Sequence, residues 1–141
     1  MKHKIRIEIR EIERRNYHLF INLKVNGKAC RLLIDTGASK TVFDTERVLQ
    51  FVKPEKIKSN EIKSVGLGVA DMDTQLAKIK NIQTGKFRIG KMEVAVLPIA
   101  HVNTTYDQIQ LPHIDGVLGS DFLMKYKAVI DYHRSVLKLT S

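Results

Sequence analysis

Apolar and polar residues alternate along the first third of the chain. Apolar side chains occupy every second position from Ile5 to Ile9, and again from Tyr17 to Val25. A period of two is typical of β-strands with one buried face. Asn26-Gly27 follows the second run and favours a two-residue hairpin turn, because both positions tolerate positive φ. The pattern therefore predicts a hairpin whose return strand runs from Lys28 to Ile34.

The middle of the chain predicts one short helix and then more strands. Asp44 or Thr45 is placed to cap a helix that ends before Pro54. Alternation returns from Ile57 to Leu97, and its breaks at glycine-containing segments predict two hairpins. These breaks are Gly66-Leu67-Gly68, Thr84-Gly85-Lys86 and Gly90-Lys91.

The last third contains a polar stretch, a short helix and a closing strand pair. Residues 100–112 show no clear period, which predicts a loop. Ser120 is placed to cap a helix from Asp121 to Tyr126. Strands are then predicted at 128–131 and 136–139. We find no repeat or linker, so residues 1–141 are interpreted as one domain, with residues 1–16 as an N-terminal extension or strand.

Length and cysteine content restrict the class of protein. A chain of 141 residues is long enough to bury a substantial core. Cys30 is the only cysteine and lies in an apolar alternating run, so a buried, reduced thiol is expected. The sequence contains no apolar signal-peptide core and no run of about 20 apolar residues. These features predict a cytoplasmic protein that does not bind a membrane.

The net charge of +9 raises the possibility of a nucleic-acid partner. However, the basic residues are spread along the chain and mostly alternate with apolar ones, and there is no tryptophan for base stacking. We therefore predict solvated strand faces and no nucleic acid. The five histidines show no metal-ligand spacing, so no metal or other cofactor is expected.

Asp35-Thr36-Gly37 lies at the end of the predicted strand 28–34. A strand would hold the carboxylate partly buried at its end, and the glycine permits a tight turn without a Cβ clash. Two such acids about 3 Å apart cannot both ionise, so they share one proton. One can then act as general base on water while the other polarises a peptide carbonyl. The alternative is a structural turn in which the aspartate accepts backbone hydrogen bonds.

Residues Ile34–Ser39, taken together with Asp115–Leu123, resemble the retropepsin-like aspartic peptidases. That family carries an early block of two hydrophobic residues followed by Asp-Thr-Gly-Ala/Ser. A late hydrophobic-hydrophobic-Gly segment, followed by a short helix, threads behind the active loop. The resemblance extends from Tyr17 to Leu139 and is greatest to the single-domain bacterial branch related to retroviral proteases. It implies a mainly β fold, a closed β-barrel lobe with one or two short helices, functional as a homodimer.

The resemblance also implies a role for each residue of the early block. Asp35 would be the catalytic acid and base, Thr36 would grip the partner loop, and Gly37 would permit the turn. It further implies a flap, for which the hairpin between Ile57 and Leu76 is the candidate. The remaining residues implied to line the substrate channel are Ala38, Ser39, Val65, Gly66, Leu67, Gly68 and Val69.

A single Asp-Thr-Gly triplet is present, and the implied mechanism needs two, so the resemblance implies a symmetric homodimer. Asp115-Gly116 is not a second triplet, because no Thr or Ser separates the two residues. Ser120 stands where retroviral enzymes usually have an arginine, which leaves the strength of the dimer open. The expected function is metal-free endopeptidase cleavage of polypeptides. The alternative is a catalytically silent dimeric binding or assembly module.

Overall fold

The computed structural model of the 141-residue chain describes residues 1–59 and 74–141. Within these ranges the chain forms eleven strands, two α-helices and two short 3₁₀ helices. The strands are β1 (Lys2–Arg6), β2 (Glu8–Glu13), β3 (Asn16–Val25), β4 (Lys28–Ile34), β5 (Val42–Asp44), β6 (Lys58–Ser59), β7 (Gln75–Thr84), β8 (Phe87–Leu97), β9 (Gly116–Leu118), β10 (Val129–Asp131) and β11 (Val136–Thr140). The helices are α1 (Ala100–Gln108) and α2 (Ser120–Lys125), and the 3₁₀ helices are Arg47–Gln50 and Pro54–Lys56.

Six of these strands close into a barrel. The strands β3, β4, β9, β5, β8 and β7 pair in that order. Pairing of Lys24 and Val25 in β3 with Gln83 and Ile82 in β7 completes the ring. Alternate residues of β3 and β4 are buried, and they fill the barrel with apolar side chains. The mainly β barrel with short helices that the sequence predicts is confirmed.

The two ends of the chain meet in a separate three-stranded sheet, ordered β1, β11, β10. The predicted single strand through Ile5, Ile7 and Ile9 is divided in the structure. The chain leaves β11 after Arg6, the Ile7 amide donates to the Ser135 carbonyl (3.0 Å), and β2 then joins β3 in the barrel sheet. Apolar and polar residues still alternate across this change of partner strand, because Ile5 and Ile7 pack into the same core.

The glycine-containing turns are only partly as predicted. Asn26 (φ 52°) and Gly27 (φ 77°) form the predicted hairpin turn between β3 and β4. A second hairpin turns at Gly85 (φ 56°), also as predicted. Gly90 is not a turn, because β8 continues through it to Leu97. Its φ of 84° accompanies a shift of register against β7, so this glycine marks an irregularity inside a strand.

The loop predicted for residues 100–112 is wrong over most of its length, because α1 occupies Ala100–Gln108. The two buried residues of this helix, Asn103 and Tyr106, are three positions apart. The Asn103 side chain donates to the Ile114 carbonyl (3.0 Å) and accepts from the Ile114 amide (2.8 Å). A buried polar residue at this position conceals the helical period. Among the described residues, no helix has the length and hydropathy required to span a membrane.

Neither predicted helix cap is correct. The predicted short helix is the 3₁₀ helix Arg47–Gln50, and its N-cap residue is Glu46, not Asp44 or Thr45. Asp44 Oδ2 nevertheless accepts hydrogen bonds from the amides of Glu46 (3.1 Å) and Arg47 (3.0 Å) at the start of this helix. Ser120 is not a cap, because it is already the first residue of α2. Its amide instead donates to the Ala38 carbonyl (2.7 Å), outside the helix.

The short strand β9 lies between β4 and β5. It runs parallel to β4, with Leu32 opposite Gly116 and Ile34 opposite Leu118. A Cβ atom on Gly116 would lie 2.1 Å from the Val42 carbonyl oxygen in β5. Any side chain at this position would therefore push two paired backbones apart.

We expect Gly116→Ala to lower the free energy of unfolding by about 3 kcal/mol or more, because the added methyl group meets main chain that cannot rotate away. Urea denaturation measures this change. Gly27→Ala is the matched control: it meets no atom within 4 Å, and only its φ of 77° opposes the substitution. That control should cost about 1 kcal/mol. Equal losses in the two variants would contradict the close approach of β9 to β5.

Candidate active site

Asp35 is the first residue after β4, and three hydrogen bonds hold it and its loop. Its amide donates to the Leu118 carbonyl in β9 (2.9 Å), and its carbonyl accepts from the Ala38 amide (3.1 Å). The Gly37 amide donates to Asp35 Oδ1 (2.9 Å). The backbone and one carboxylate oxygen are thus positioned by the loop itself, which leaves Oδ2 available to a ligand.

The segment that follows β9 packs directly behind this loop. A Cβ on Gly119 would lie 2.7 Å from the Ala38 carbonyl oxygen and 2.8 Å from the Lys40 carbonyl carbon. The next residue, Ser120, donates its amide to the same Ala38 oxygen. The late segment Val117-Leu118-Gly119 therefore threads behind the Asp35 loop, as the resemblance implies.

Thr41 and Asp121 join the two segments in a way that the sequence did not reveal. The Thr41 hydroxyl donates to Asp121 Oδ1 (2.8 Å) and accepts from the Gly119 amide (3.1 Å). The Thr41 amide donates to the same carboxylate oxygen (3.0 Å). Thr41 is fully buried. In the sequence, the one indication of this role is that Thr41 is a polar residue two positions before the apolar Phe43. This indication is weak by itself.

Asp35, Thr36 and Gly37 are exposed in the single chain. The prediction of a partly buried acid is therefore wrong for one chain alone, because nothing in the described part of this chain covers the end of β4. Asp35 and Thr36 line a depression of about 300 Å³ together with Tyr17 and Tyr132. The Thr36 hydroxyl makes no hydrogen bond with residues 1–59 or 74–141.

The other residues implied for the channel are only partly described. Ala38 is half-buried and Ser39 is exposed, both next to the Asp35 turn. The base of the candidate flap is formed by β6 and β7, which pair antiparallel with Lys58 opposite Leu76. The proposed lining residues Val65, Gly66, Leu67, Gly68 and Val69 lie outside the described residues.

Two further aspartates are buried and bind groups of the protein itself. Asp115 accepts from Arg47 Nε (2.9 Å) and from the Arg31 amide (2.9 Å), so both of its carboxylate oxygens bind groups of the chain. Asp44 also accepts from the Ile99 amide (2.9 Å). Burial opposes its ionised form, but the three backbone N–H groups on its oxygens hold the pKa of Asp44 below its ordinary value. In the described ranges, no cluster of His, Cys, Asp and Glu could hold a metal ion.

The order of these parts along the chain agrees with a known family. The sequence model of the family described as "Aspartyl protease" matches residues 21–122, which include the Asp35 loop, β9 and the start of α2. The chain belongs to this family. The fold is shared with solved members of the retropepsin-like group. A retropepsin-like aspartic protease from Rickettsia conorii superposes with a TM-score of 0.60 and 20% sequence identity, over 99% of this chain and 89% of that one.

Another solved structure is similar to the chain in fold, and two further proteins are similar to it in sequence. The retroviral protease-like domain of Ddi1 from Leishmania major gives a TM-score of 0.58 at 14% identity, over 86% of this chain and 87% of that one. UBA domain-containing protein Mud1 from Schizosaccharomyces pombe is 24% identical over 87% of this chain. DNA damage-inducible protein 1 from Candida glabrata is 25% identical over 86% of it. The chain spans only 33% and 25% of the lengths of these two proteins.

We expect Thr41→Val to destabilise this aspartyl protease domain by about 1–3 kcal/mol, because the buried Gly119 amide loses its acceptor and Asp121 loses one donor. Thr41→Ser keeps the hydroxyl and should restore most of the loss. Urea denaturation of the two variants beside the wild type gives both values. A Thr41→Val variant as stable as the wild type would show that the hydroxyl does not fasten the two segments.

Proposed function

We propose that the chain is an aspartic endopeptidase that acts as a homodimer, with Asp35 of each subunit forming the catalytic pair. The observation that carries the proposal is the Asp35 loop. It is a loop of the aspartyl protease family, it is fastened from behind by β9 and Gly119, and it presents one exposed carboxylate per chain. A second copy is the simplest source of the second acid, because a two-fold axis brings identical residues together.

The chemistry follows from two carboxylates that share one proton. The ionised carboxylate takes a proton from a water molecule, whose oxygen attacks the carbonyl carbon of the peptide bond. The protonated carboxyl gives its proton to the carbonyl oxygen, which forms a tetrahedral intermediate. Collapse of this intermediate breaks the C–N bond, and the proton that was taken from water passes to the leaving nitrogen. One hydroxyl of the intermediate returns its proton to the second carboxylate as the new carbonyl forms, so the pair again holds one proton. The Gly37 amide fixes Asp35 Oδ1 throughout, so that Oδ2 faces the water.

The surface around Asp35 supports the homodimer. Tyr17 and Tyr132 line the Asp35 depression and are 52% and 63% exposed. Exposed aromatic groups beside a functional residue are typical of surfaces that another protein covers. The Thr36 hydroxyl, which has no acceptor or donor among the described residues, would bond to the partner's loop at this interface.

The substrate would be an extended polypeptide. Ala38 and Ser39 flank the Asp35 turn and would line the channel, together with residues 65–69 of the candidate flap, whose closure would exclude water. We further propose that residues 1–141 act as one domain, with residues 1–16 as its first strands, and that it works in the cytoplasm. The Cys30 thiol suits a reducing compartment, since burial raises its pKa above the ordinary value and keeps it unreactive.

We expect Asp35→Asn to lower the rate of peptide cleavage roughly a thousandfold or more, because both acids of the pair are lost at once. Asparagine can still accept from the Gly37 amide, so the fold should be retained. Cleavage of a broad peptide library, followed by mass spectrometry at pH values between about 4 and 7, measures the loss.

The control for this experiment is Asp107→Asn, which removes an exposed carboxylate on α1, outside the Asp35 site. A statine-type transition-state mimic should block the wild type and this control equally. Full activity of Asp35→Asn would overturn the mechanism. Silence of the wild type, observed in a preparation shown to be dimeric, would instead favour a dimeric binding module.

We expect Tyr132→Glu to weaken the dimer roughly tenfold or more, because a charge would replace an aromatic ring that the proposed interface beside Asp35 buries. Sedimentation velocity at several protein concentrations measures the dissociation constant, and cleavage activity should fall in parallel at low concentration.

Leu49→Glu is the matched control, since Leu49 is 49% exposed and does not line the Asp35 depression. This control should dimerise like the wild type. If Tyr132→Glu dimerises as tightly as the wild type, the rim of the Asp35 depression is not part of the subunit interface.

A further inference from the structure

A second cavity, of about 650 Å³, opens on the side of the barrel next to β6 and β7. Five lysines of the described part of the chain line it: Lys53, Lys56, Lys58, Lys78 and Lys80. We call this cavity the lysine groove. Among residues 1–59 and 74–141, it shares no lining residue with the depression that contains Asp35, so we treat it as a separate site.

The charge of the lysine groove is not neutralised by the described part of the protein. All five lysines are exposed, and none forms a salt bridge with residues 1–59 or 74–141. The one acidic residue that the described part of the chain contributes to the lining, Glu93, is bonded to Lys40 (3.3 Å). Five ammonium groups around one cavity repel each other and attract an anionic ligand.

The floor of the groove is apolar, which restricts the kind of anion. Phe51, Val52, Leu76 and Ala77 line it between the lysines. Phe51 is buried, so its ring is not available for stacking on a nucleic-acid base. A ligand that combines carboxylates with apolar side chains fits both the rim and the floor.

The backbone of β7 provides a third element of recognition. On one side β7 pairs with β8. On the other side it pairs with β6 at Gln75 and Leu76, and with β3 at Ile82 and Gln83. Between these pairings, no described strand lies against residues 77–80. An extended peptide can add to such an edge through main-chain hydrogen bonds. Lysines on the edge oppose indiscriminate strand addition and favour an acidic segment.

We propose that the lysine groove binds an extended acidic segment of a polypeptide, with alternate side chains directed to the lysines and to the apolar floor. That this polypeptide is the substrate rests on the proposed function. The groove adjoins both strands that flank residues 60–73. A protein substrate with an acidic segment distant from the scissile bond would thus be held at two places on one subunit.

The test uses the full chain carrying Asp35→Asn, so that binding is measured without cleavage. The probe is a fluorescein-labelled peptide of alternating glutamate and leucine, and anisotropy gives its affinity. Lys53→Glu combined with Lys80→Glu should weaken binding at least roughly tenfold. The matched control, Lys86→Glu combined with Lys127→Glu, changes the net charge equally at two exposed lysines outside the groove, and it should bind like the parent.

Three outcomes of the binding experiment would overturn the inference. No binding of the peptide at low salt, or an equal loss in both double variants, would show that the groove is not a specific site. Groove-dependent binding of a single-stranded RNA oligonucleotide in preference to the peptide would assign the groove to nucleic acid. Cleavage by the wild type tests the proposed function separately. An active enzyme without peptide binding removes only this inference, and binding without cleavage removes only the proposed activity.

Discussion

Backbone contact between the Asp35 loop and the segment from Gly116 to Ser120 is the constraint on which the site depends. Two glycines allow it, since a Cβ at Gly119 would overlap main-chain atoms of Ala38 and Lys40, and a Cβ at Gly116 would overlap those of Val42 in the neighbouring strand β5. The Leu118 carbonyl then binds the Asp35 amide, and the Ala38 carbonyl binds the Ser120 amide. Hydrogen bonds between two backbones define the position of the carboxylate more closely than side chains on a flexible loop would.

The same architecture leaves the site open on one side. The Asp35 loop supplies one exposed carboxylate, a Thr36 hydroxyl that makes no hydrogen bond with the described residues, and the neighbouring exposed rings of Tyr17 and Tyr132. The second copy that we propose on a two-fold axis would account for all three features. The fold also brings together five of the 24 basic residues, from the stretches 53–58 and 78–80, around a single groove. Part of the positive charge is thus concentrated locally in a way that the sequence does not show.

Local pattern was sufficient for the parts of the fold that depend on neighbouring residues. The hairpin at Asn26-Gly27, the bounds of β4 and the position of Asp35 at its end all follow from short-range alternation and turn chemistry. The motif resemblance also identified the late segment that threads behind the loop. Prediction failed where a residue's role is set by a distant partner. Gly90 marks an irregularity against β7, and Asn103 is buried because it binds the Ile114 backbone.

The sequence by itself thus determined the mainly β class, the Asp-Thr-Gly motif of the family and the position of Asp35 within it. Periodicity, turn propensity and a short motif are local properties of the chain. Only the tertiary structure decided that Thr41 bonds to Asp121, 80 residues away. The same holds for the division of the N-terminal strand between two sheets and for the convergence of the lysines on one groove. These features arise from contacts between segments that are remote in sequence, and their partners are chosen by packing and hydrogen-bond geometry, which no local pattern records.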